Sequence, residues 1–410
     1  MGDPSVDRVG RRRAVDAIGG VLKISRPFSI YLDLLRVLAA LAVLLGHMEQ
    51  DGLYMAWIPL HHFNHEAVIV FFVLSGYVIA HSTFDRKKTC SAYAVARLAR
   101  VYPVAAPAIL FSAIVAAGFG QSFNAWDVVS SFLFLNESWL NPASLPMNGP
   151  YWSLCYEAWY YLLFGLAVFL PRRLQWICVV AAALAGPAIL LLMPIWLLGV
   201  LLARKPSLLF KSQLFAFCAA VLGLLVIVAI GQMGSGIDVS LRLTLKEHIP
   251  GYWRLIYSQR FVTDYVIGLA VALHLTGMRS MMLGGLGDPI VSIAKPIRYM
   301  ASGTFSIYLF HKPMTEIIGG VWPNDGGSIS ASLVAFTCIL SMCMLAAHLT
   351  EHRAAAWRSL LASSLIRPWG HSSSPWRSQL RHSHSHSRDR AAATGRCRST
   401  SRPSTRDLAA

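Results

Sequence analysis

Charge is what this chain has least of. Only 14% of its 410 residues are Asp, Glu, Lys or Arg, against about 25% in a soluble globular domain. That shortage excludes a disordered chain, a coiled coil and an ordinary cytosolic domain for the bulk of the sequence. Cysteine is sparse and scattered, seven residues with no CxxC pair, so neither a zinc site nor a disulfide framework is supported. No short apolar run with a small-residue cleavage site follows Arg11, Arg12 and Arg13, and no signal peptide is read. Internal repeats are not found either. What the chain has in excess is apolar surface: 55% of residues are hydrophobic and mean hydropathy is +0.51. The class left is an all-α, polytopic integral membrane protein.

Ten apolar stretches are expected to span, at 30–48, 65–82, 101–119, 151–170, 174–193, 194–203, 214–231, 261–277, 302–321 and 330–349. Most approach the ~20 residues that cross ~30 Å of hydrocarbon. The sixth is short and is divided from the fifth at Met193 and Pro194. Of the 36 Lys and Arg residues, 30 fall in 1–27, 83–100, 171–173, 204–213, 278–301 and 350–410, while 49–64, 120–150 and 322–329 hold none. That split places both termini in the cytoplasm. It also accounts for the net charge of +16 without nucleic acid as a partner. Residues 1–27 read as a basic cytoplasmic segment, 28–355 as the membrane domain, and 356–410 as a basic, disordered tail rich in Arg, Ser and His. His382, His384 and His386 in that tail read as solvated rather than metal-binding; no metal site is expected.

Polar residues inside apolar stretches need a partner or a wet cavity, since a central charge costs about 2.5–3.5 kcal/mol on insertion scales. The first stretch carries Asp33, Arg36 and His47. Arg36 and His47 are eleven residues apart, which is three helical turns, so they share a face about 16 Å long. This suggests a polar path; the alternative is a structural Asp33–Arg36 ion pair with an interfacial His47. Ser75 and Gly76 allow close helix approach. Arg97 and Arg100 share a face at the expected start of the third stretch, where two guanidiniums and a helix N-terminus suit phosphate; positive-inside anchoring is the bland alternative. Glu157 lies about 9 Å down from residue 151, with Trp152, Trp159, Tyr160 and Tyr161 around it as an interfacial belt. His311, Lys312 and Pro313 at mid-span predict a broken or cavity-facing helix.

The order of these motifs resembles the membrane-bound acyltransferase family 3. Four stretches carry the resemblance: Leu32, Asp33 and Arg36 with His47 eleven residues on; Phe71 to Gly76; Arg97, Arg100, Tyr102 and Pro103; and Trp152, Ser153, Leu154 and Glu157. Ser306 to Pro313 and Leu349 to Arg353 look like the closing motifs. Many relatives carry an acid shortly before the paired phenylalanines, where this chain has Ile69 with Glu66 one turn earlier. Many have a second His after the first, where this chain has Met48.

The resemblance implies about ten helices in the inner (plasma) membrane. It implies transfer of an acyl group, acetyl in the usual case, from acyl-CoA to a hydroxyl of a carbohydrate such as a polysaccharide, a lipid-linked glycan or another cell-surface glycan. On that reading His47 is the general base, with a covalent acyl-His as an open alternative, and Arg36 and Glu157 assist it. Arg97, Arg100 and His311 hold the donor, and Asp33 and Ser153 support. The competing function is a transporter or flippase of a polysaccharide precursor, since the same residue types make proton relays.

Overall fold

The computed structural model describes residues 24–54, 60–85, 88–139, 142–285, 287–322 and 328–354, with 356, 357 and 359. The readings of 1–23 and of the tail from 360 lie outside the described residues. Among the described residues there is no strand; the chain is a bundle of helices. These are α1 (Arg26–Gln50), α2 (Asn64–Phe84), α3 (Cys90–Gly118), α4 (Ala125–Phe132), α5 (Trp152–Phe169), α6 (Trp176–Ala185), α7 (Pro187–Arg204), α8 (Gln213–His248), α9 (Phe261–Leu283), α10 (Asp288–Ser292), α11 (Ala294–Ala301), α12 (Thr304–Val321) and α13 (Ile329–Leu349).

Seven helical segments among the described residues are long and apolar enough to cross a membrane. They lie in α1, α2, α3, α7, α8, the stretch ending in α9, and the stretch beginning with α13. Their outward surface is apolar: Phe215, Leu225, Leu333 and Leu345 are all more than half exposed. In water such faces would drive aggregation, and in a bilayer they are the matched surface.

Local chemistry explains the helix limits. Ser25 caps α1, its Oγ accepting from Phe28 N, with Pro27 in the first turn. The expected break at Met193 and Pro194 is not where the chain divides. It divides at Gly186, whose φ of +85° is open to glycine at little steric cost, followed by Pro187 at the first helical position. Pro194 is carried inside α7. At about 15 Å, the ten-residue α6 is too short to cross alone.

Of the two outcomes expected at His311, Lys312 and Pro313, the helix faces a cavity, which Lys312 lines, and does not break, because α12 runs through Pro313. Proline removes the N–H that would bond the carbonyl four residues back, at Leu309. Asn148 Nδ2 donates to that carbonyl at 2.9 Å, so the bundle repairs what the sequence takes away.

Small residues set how close the helices come. A Cβ on Gly76 would lie 2.0 Å from the Trp196 carbonyl, and one on Gly199 would lie 2.0 Å from the Val73 carbonyl. This reciprocal contact locks α2 to α7, as the pairing of Ser75 with Gly76 suggested.

Candidate active site

Helices α1, α2, α3, α5 and α12 enclose a cavity of about 490 Å³. Its wall brings together Asp33, Arg36, Arg97, Arg100, Ser153 and Glu157, six residues singled out by sequence. Arg298 adds a fourth guanidinium to this wall, so four arginines face two carboxylates.

The four arginines are not equivalent. Arg36 Nη1 donates to Asp33 Oδ1 at 3.3 Å. Arg100 Nη1 donates to Glu351 Oε1 at 2.6 Å, and the other carboxylate oxygen accepts from Ser306 N at 3.1 Å and Ser306 Oγ at 3.2 Å. Arg97 pairs with no acid among the described residues. Its guanidinium lies over the Tyr93 and Tyr161 rings, at 5.8 and 5.6 Å, and its Nε is buried without a hydrogen-bond partner. Of the two arginines on α3, Arg97 is therefore the one with donors to spare.

The helix-dipole part of the expectation fails. Helix α3 starts at Cys90, capped by Thr89, which puts Arg97 and Arg100 two to three turns inside it. The macrodipole acts within the first turn, so an anion here would be held by guanidinium groups alone. Apolar patterning places the start of this helix too late because residues 90–100 mix polar and apolar types.

Glu157 faces the cavity and accepts from Tyr161 OH at 2.5 Å. Tyr161 OH also lies 3.3 Å from Ser75 Oγ, which takes a bond from Trp196 Nε1 at 3.1 Å. Ser153 Oγ donates to Tyr308 OH at 2.7 Å, and that hydroxyl donates to Pro150 O at 2.9 Å.

His47 is not on this wall, so Glu157, expected to assist His47, stands with the arginines instead. The His47 ring meets His311: His311 Nε2 is 3.3 Å from His47 Nδ1, and the ring centroids are 5.0 Å apart. His47 Nδ1 also lies 2.8 Å from Val43 O, and His311 Nδ1 lies 2.8 Å from Tyr308 O. Backbone carbonyls accept only, so each Nδ1 carries its proton and each Nε2 is the basic nitrogen. His311 Nε2 is spent on His47; His47 Nε2 remains a base. Beyond the pair, Lys312 Nζ donates to Asp51 at 2.5 Å and Glu316 at 2.7 Å. One turn of α12 links the two places, since the Tyr308 and His311 rings are 6.0 Å apart.

Comparison with known proteins decides what kind of molecule this is. A family model described as an acyltransferase domain matches residues 29–350. The chain belongs to membrane-bound acyltransferase family 3. It is also similar to a protein named acyltransferase MdmB from Streptomyces mycarofaciens, 30% identical over 167 residues. That match takes in 37% of this chain and 43% of the relative, so it spans less than half of either. No solved structure matches.

The chain also holds a second charge cluster, away from this wall. Arg260 binds Glu66 at 2.6 Å and Asp238, which accepts from Thr263 Oγ1 at 2.7 Å. His65 Nε2 is 3.0 Å from Asp264 Oδ1, and its ring stacks on Trp152. Glu66 is thus committed to Arg260. Glu66 lies inside an apolar stretch, but Asp238 and Arg260 lie between the stretches 214–231 and 261–277, where charge is ordinary; α8 in fact continues to His248 and carries Asp238 into the bundle. Glu351 was noticed only as part of a closing motif, and its role as the counter-ion of Arg100 needed the fold. Outside the membrane-spanning helices, burial pushes the Glu137 carboxyl up to about 7, with the Asn136 amide donating to it at 3.2 Å.

Proposed function

We propose that this membrane acyltransferase moves an acetyl group from acetyl-CoA to a carbohydrate hydroxyl on a cell-surface glycan. The observation that carries the reading is the cavity with four arginines against two carboxylates, joined by one turn of α12 to a histidine whose Nε2 is a free base. Coenzyme A is rich in phosphate, and phosphate is what planar guanidinium groups hold best. Arg97 and Arg298 are the contacts, with Arg100 held in place by Glu351. Arg36, at the other end of the α1 face from His47, adds its positive charge to the donor cavity, and Glu157 with Tyr161 fixes the polar wall beside it.

The chemistry balances on this chain's own groups. His47 Nε2 takes the proton of the acceptor hydroxyl as its oxygen attacks the thioester carbonyl. A C–O bond forms, the C–S bond breaks, and the proton passes from His47 to the departing thiolate. The products are the ester and free coenzyme A. General-base assistance of this kind contributes about 10²–10⁴ in rate. His311, fully buried, holds the His47 ring rather than the donor.

The wider frame belongs to the same proposal. It comprises about ten helices in the inner membrane, with the arginine end and both termini cytoplasmic, and a membrane domain over 28–355. The positive-inside distribution supports it, because coenzyme A thioesters would then meet the arginines from inside. The test is coenzyme A-dependent incorporation of labelled acetyl into envelope glycans by membranes that carry the protein, read against a deletion strain by mass spectrometry. Equal incorporation with and without the protein would refute the assignment.

A further inference from the structure

The proposed reaction gives Lys312, the neighbour of His311 on α12, no task. Its Nζ donates to Asp51 Oδ1 at 2.5 Å and to Glu316 Oε1 at 2.7 Å. Asp51 caps the end of α1 and bonds in two directions. Its backbone N–H donates to the His47 carbonyl at 2.9 Å. Its side chain takes the lysine on Oδ1 and, on Oδ2, the Thr315 hydroxyl at 2.6 Å. Thr315 is fully buried, one turn along α12 from Lys312. One residue thus joins the last turn of α1, which carries the base, to the turn of α12 that carries its partner.

The contact at this joint tolerates little movement. His311 Nε2 and His47 Nδ1 are 3.3 Å apart with the rings 55° from parallel, at the long end of a hydrogen bond. A reacting group has to be held within about 0.5 Å of its productive geometry, by side chains that are themselves hydrogen-bonded in place. The ions around Lys312 are arranged for that. Glu316, one turn along the same helix, already supplies the lysine with a carboxylate. What Asp51 adds is a bond between the two helices. Lys312 and Glu316 also line a second cavity, about 440 Å³. A polar void of that size holds water, which lowers the cost of keeping charge in an apolar bundle.

We propose that Asp51 is a positioning residue for the transfer: through Lys312 and Thr315 it fixes the end of α1 against α12, and so sets where the His47 ring stands. The proposal rests on His47 as the base and adds the residue that holds it in place. Asp51→Ala removes the link and leaves Lys312 paired with Glu316, so no buried charge is stranded. Thr315→Val removes one hydroxyl and almost no volume, and its effect through Asp51 exists only while Asp51 is present. Asp51→Glu keeps a carboxylate within reach of the lysine.

The experiment uses the full-length protein in membranes of a deletion strain: the parent, these three variants, the double variant Asp51→Ala with Thr315→Val, and His47→Ala. Two quantities are read in the same membranes: acetyl-CoA bound above the deletion-strain background, and labelled acetyl transferred to glycan per molecule that binds. Asp51→Ala should bind acetyl-CoA within about twofold of the parent and transfer about 10- to 100-fold less. Asp51→Glu should recover most of that loss. Thr315→Val should lower transfer about 2- to 10-fold alone and no further in the Asp51→Ala background. Parent-like transfer by Asp51→Ala, with His47→Ala inactive, would overturn the role of Asp51 and leave the base in place. Loss of acetyl-CoA binding together with transfer in Asp51→Ala would overturn it too, because the residue would then serve the whole fold, and so would an equal effect of Thr315→Val in both backgrounds. Should Asp51→Ala fail to fold, Thr315→Val decides, and parent-like transfer by it overturns the role. A His47→Ala protein that transfers like the parent, or a parent that transfers no label, refutes the base and this role with it.

Discussion

Two clusters of buried charge stand in this molecule, and they are built in opposite ways. Around Arg260, one guanidinium serves Glu66 and Asp238, with Asp264 and His65 alongside, and none of these residues lines either the 490 Å³ or the 440 Å³ cavity. Around Arg36, Arg97, Arg100 and Arg298, positive charge exceeds negative and faces 490 Å³ of open volume. The first arrangement uses its charges on one another and holds α2, α8 and α9 together. The second leaves donors unspent, as a binding site for an anion must. The difference between a structural and a functional charge cluster here is the balance of partners and the presence of space, neither of which a residue count along the chain reveals.

The sharpest way to break this contrast is to remove one arginine from each cluster. Arg260→Met should abolish well-folded protein in detergent. It leaves Glu66, Asp238 and Asp264 buried without their cation, a change that typically costs about 3–5 kcal/mol. Size-exclusion profile and thermal melting report it. Arg97→Met should melt like the parent, since no carboxylate depends on it. Its effect should fall on the donor: a KM for acetyl-CoA raised about 10- to 100-fold, from loss of a charged hydrogen bond worth ~1.5–3 kcal/mol, with the acceptor KM little changed. Similar stability losses in both variants would erase the distinction.

Glu137 offers a smaller and finer test, as an acid buried beside an amide rather than an arginine. Its carboxyl ordinarily titrates near 4.5, and burial raises it to about 7. Between those pH values the folded state keeps a proton that the unfolded state has lost, so stability falls as pH rises through this window. Glu137→Gln removes that loss. The melting-temperature gain of the variant over the parent should be near zero at the acid end and grow to a plateau above pH 7. At about 1.4 kcal/mol per pKa unit, the plateau corresponds to a few kcal/mol at most. A gain that does not change with pH would show that the carboxyl is not buried in this way.

Much of the molecule was legible beforehand, and the failures have causes. The apolar runs located the helices because lipid-facing and buried surfaces are both apolar, so hydropathy records the sum. The same insensitivity misplaced the division at Gly186. A proline inside a membrane helix reads as a break, although Pro194 and Pro313 are both carried through, the latter because Asn148 satisfies the freed carbonyl. Asp33, Arg36, Arg97, Arg100, Ser153 and Glu157 meet on one cavity wall, although spacing alone put Glu157 nearer His47 than the arginines. Separating His47 from Glu157 and pairing it with His311 required contacts between residues 264 positions apart, and so did the match of Arg100 with Glu351. Long-range partners of that kind leave no trace in spacing.

On the proposed reaction, His47 is the base and acts on a donor bound elsewhere. In one preparation of the His47→Ala protein, acetyl-CoA affinity and acetyl transfer to glycan should therefore separate. Binding should stay within about twofold of the parent, because the arginine cavity does not include His47. Transfer should fall by at least the 10²–10⁴ assigned to base catalysis. Transfer retained above about a tenth of the parent rate, with binding intact, would contradict the role of His47 and move the base to Glu157 or His311.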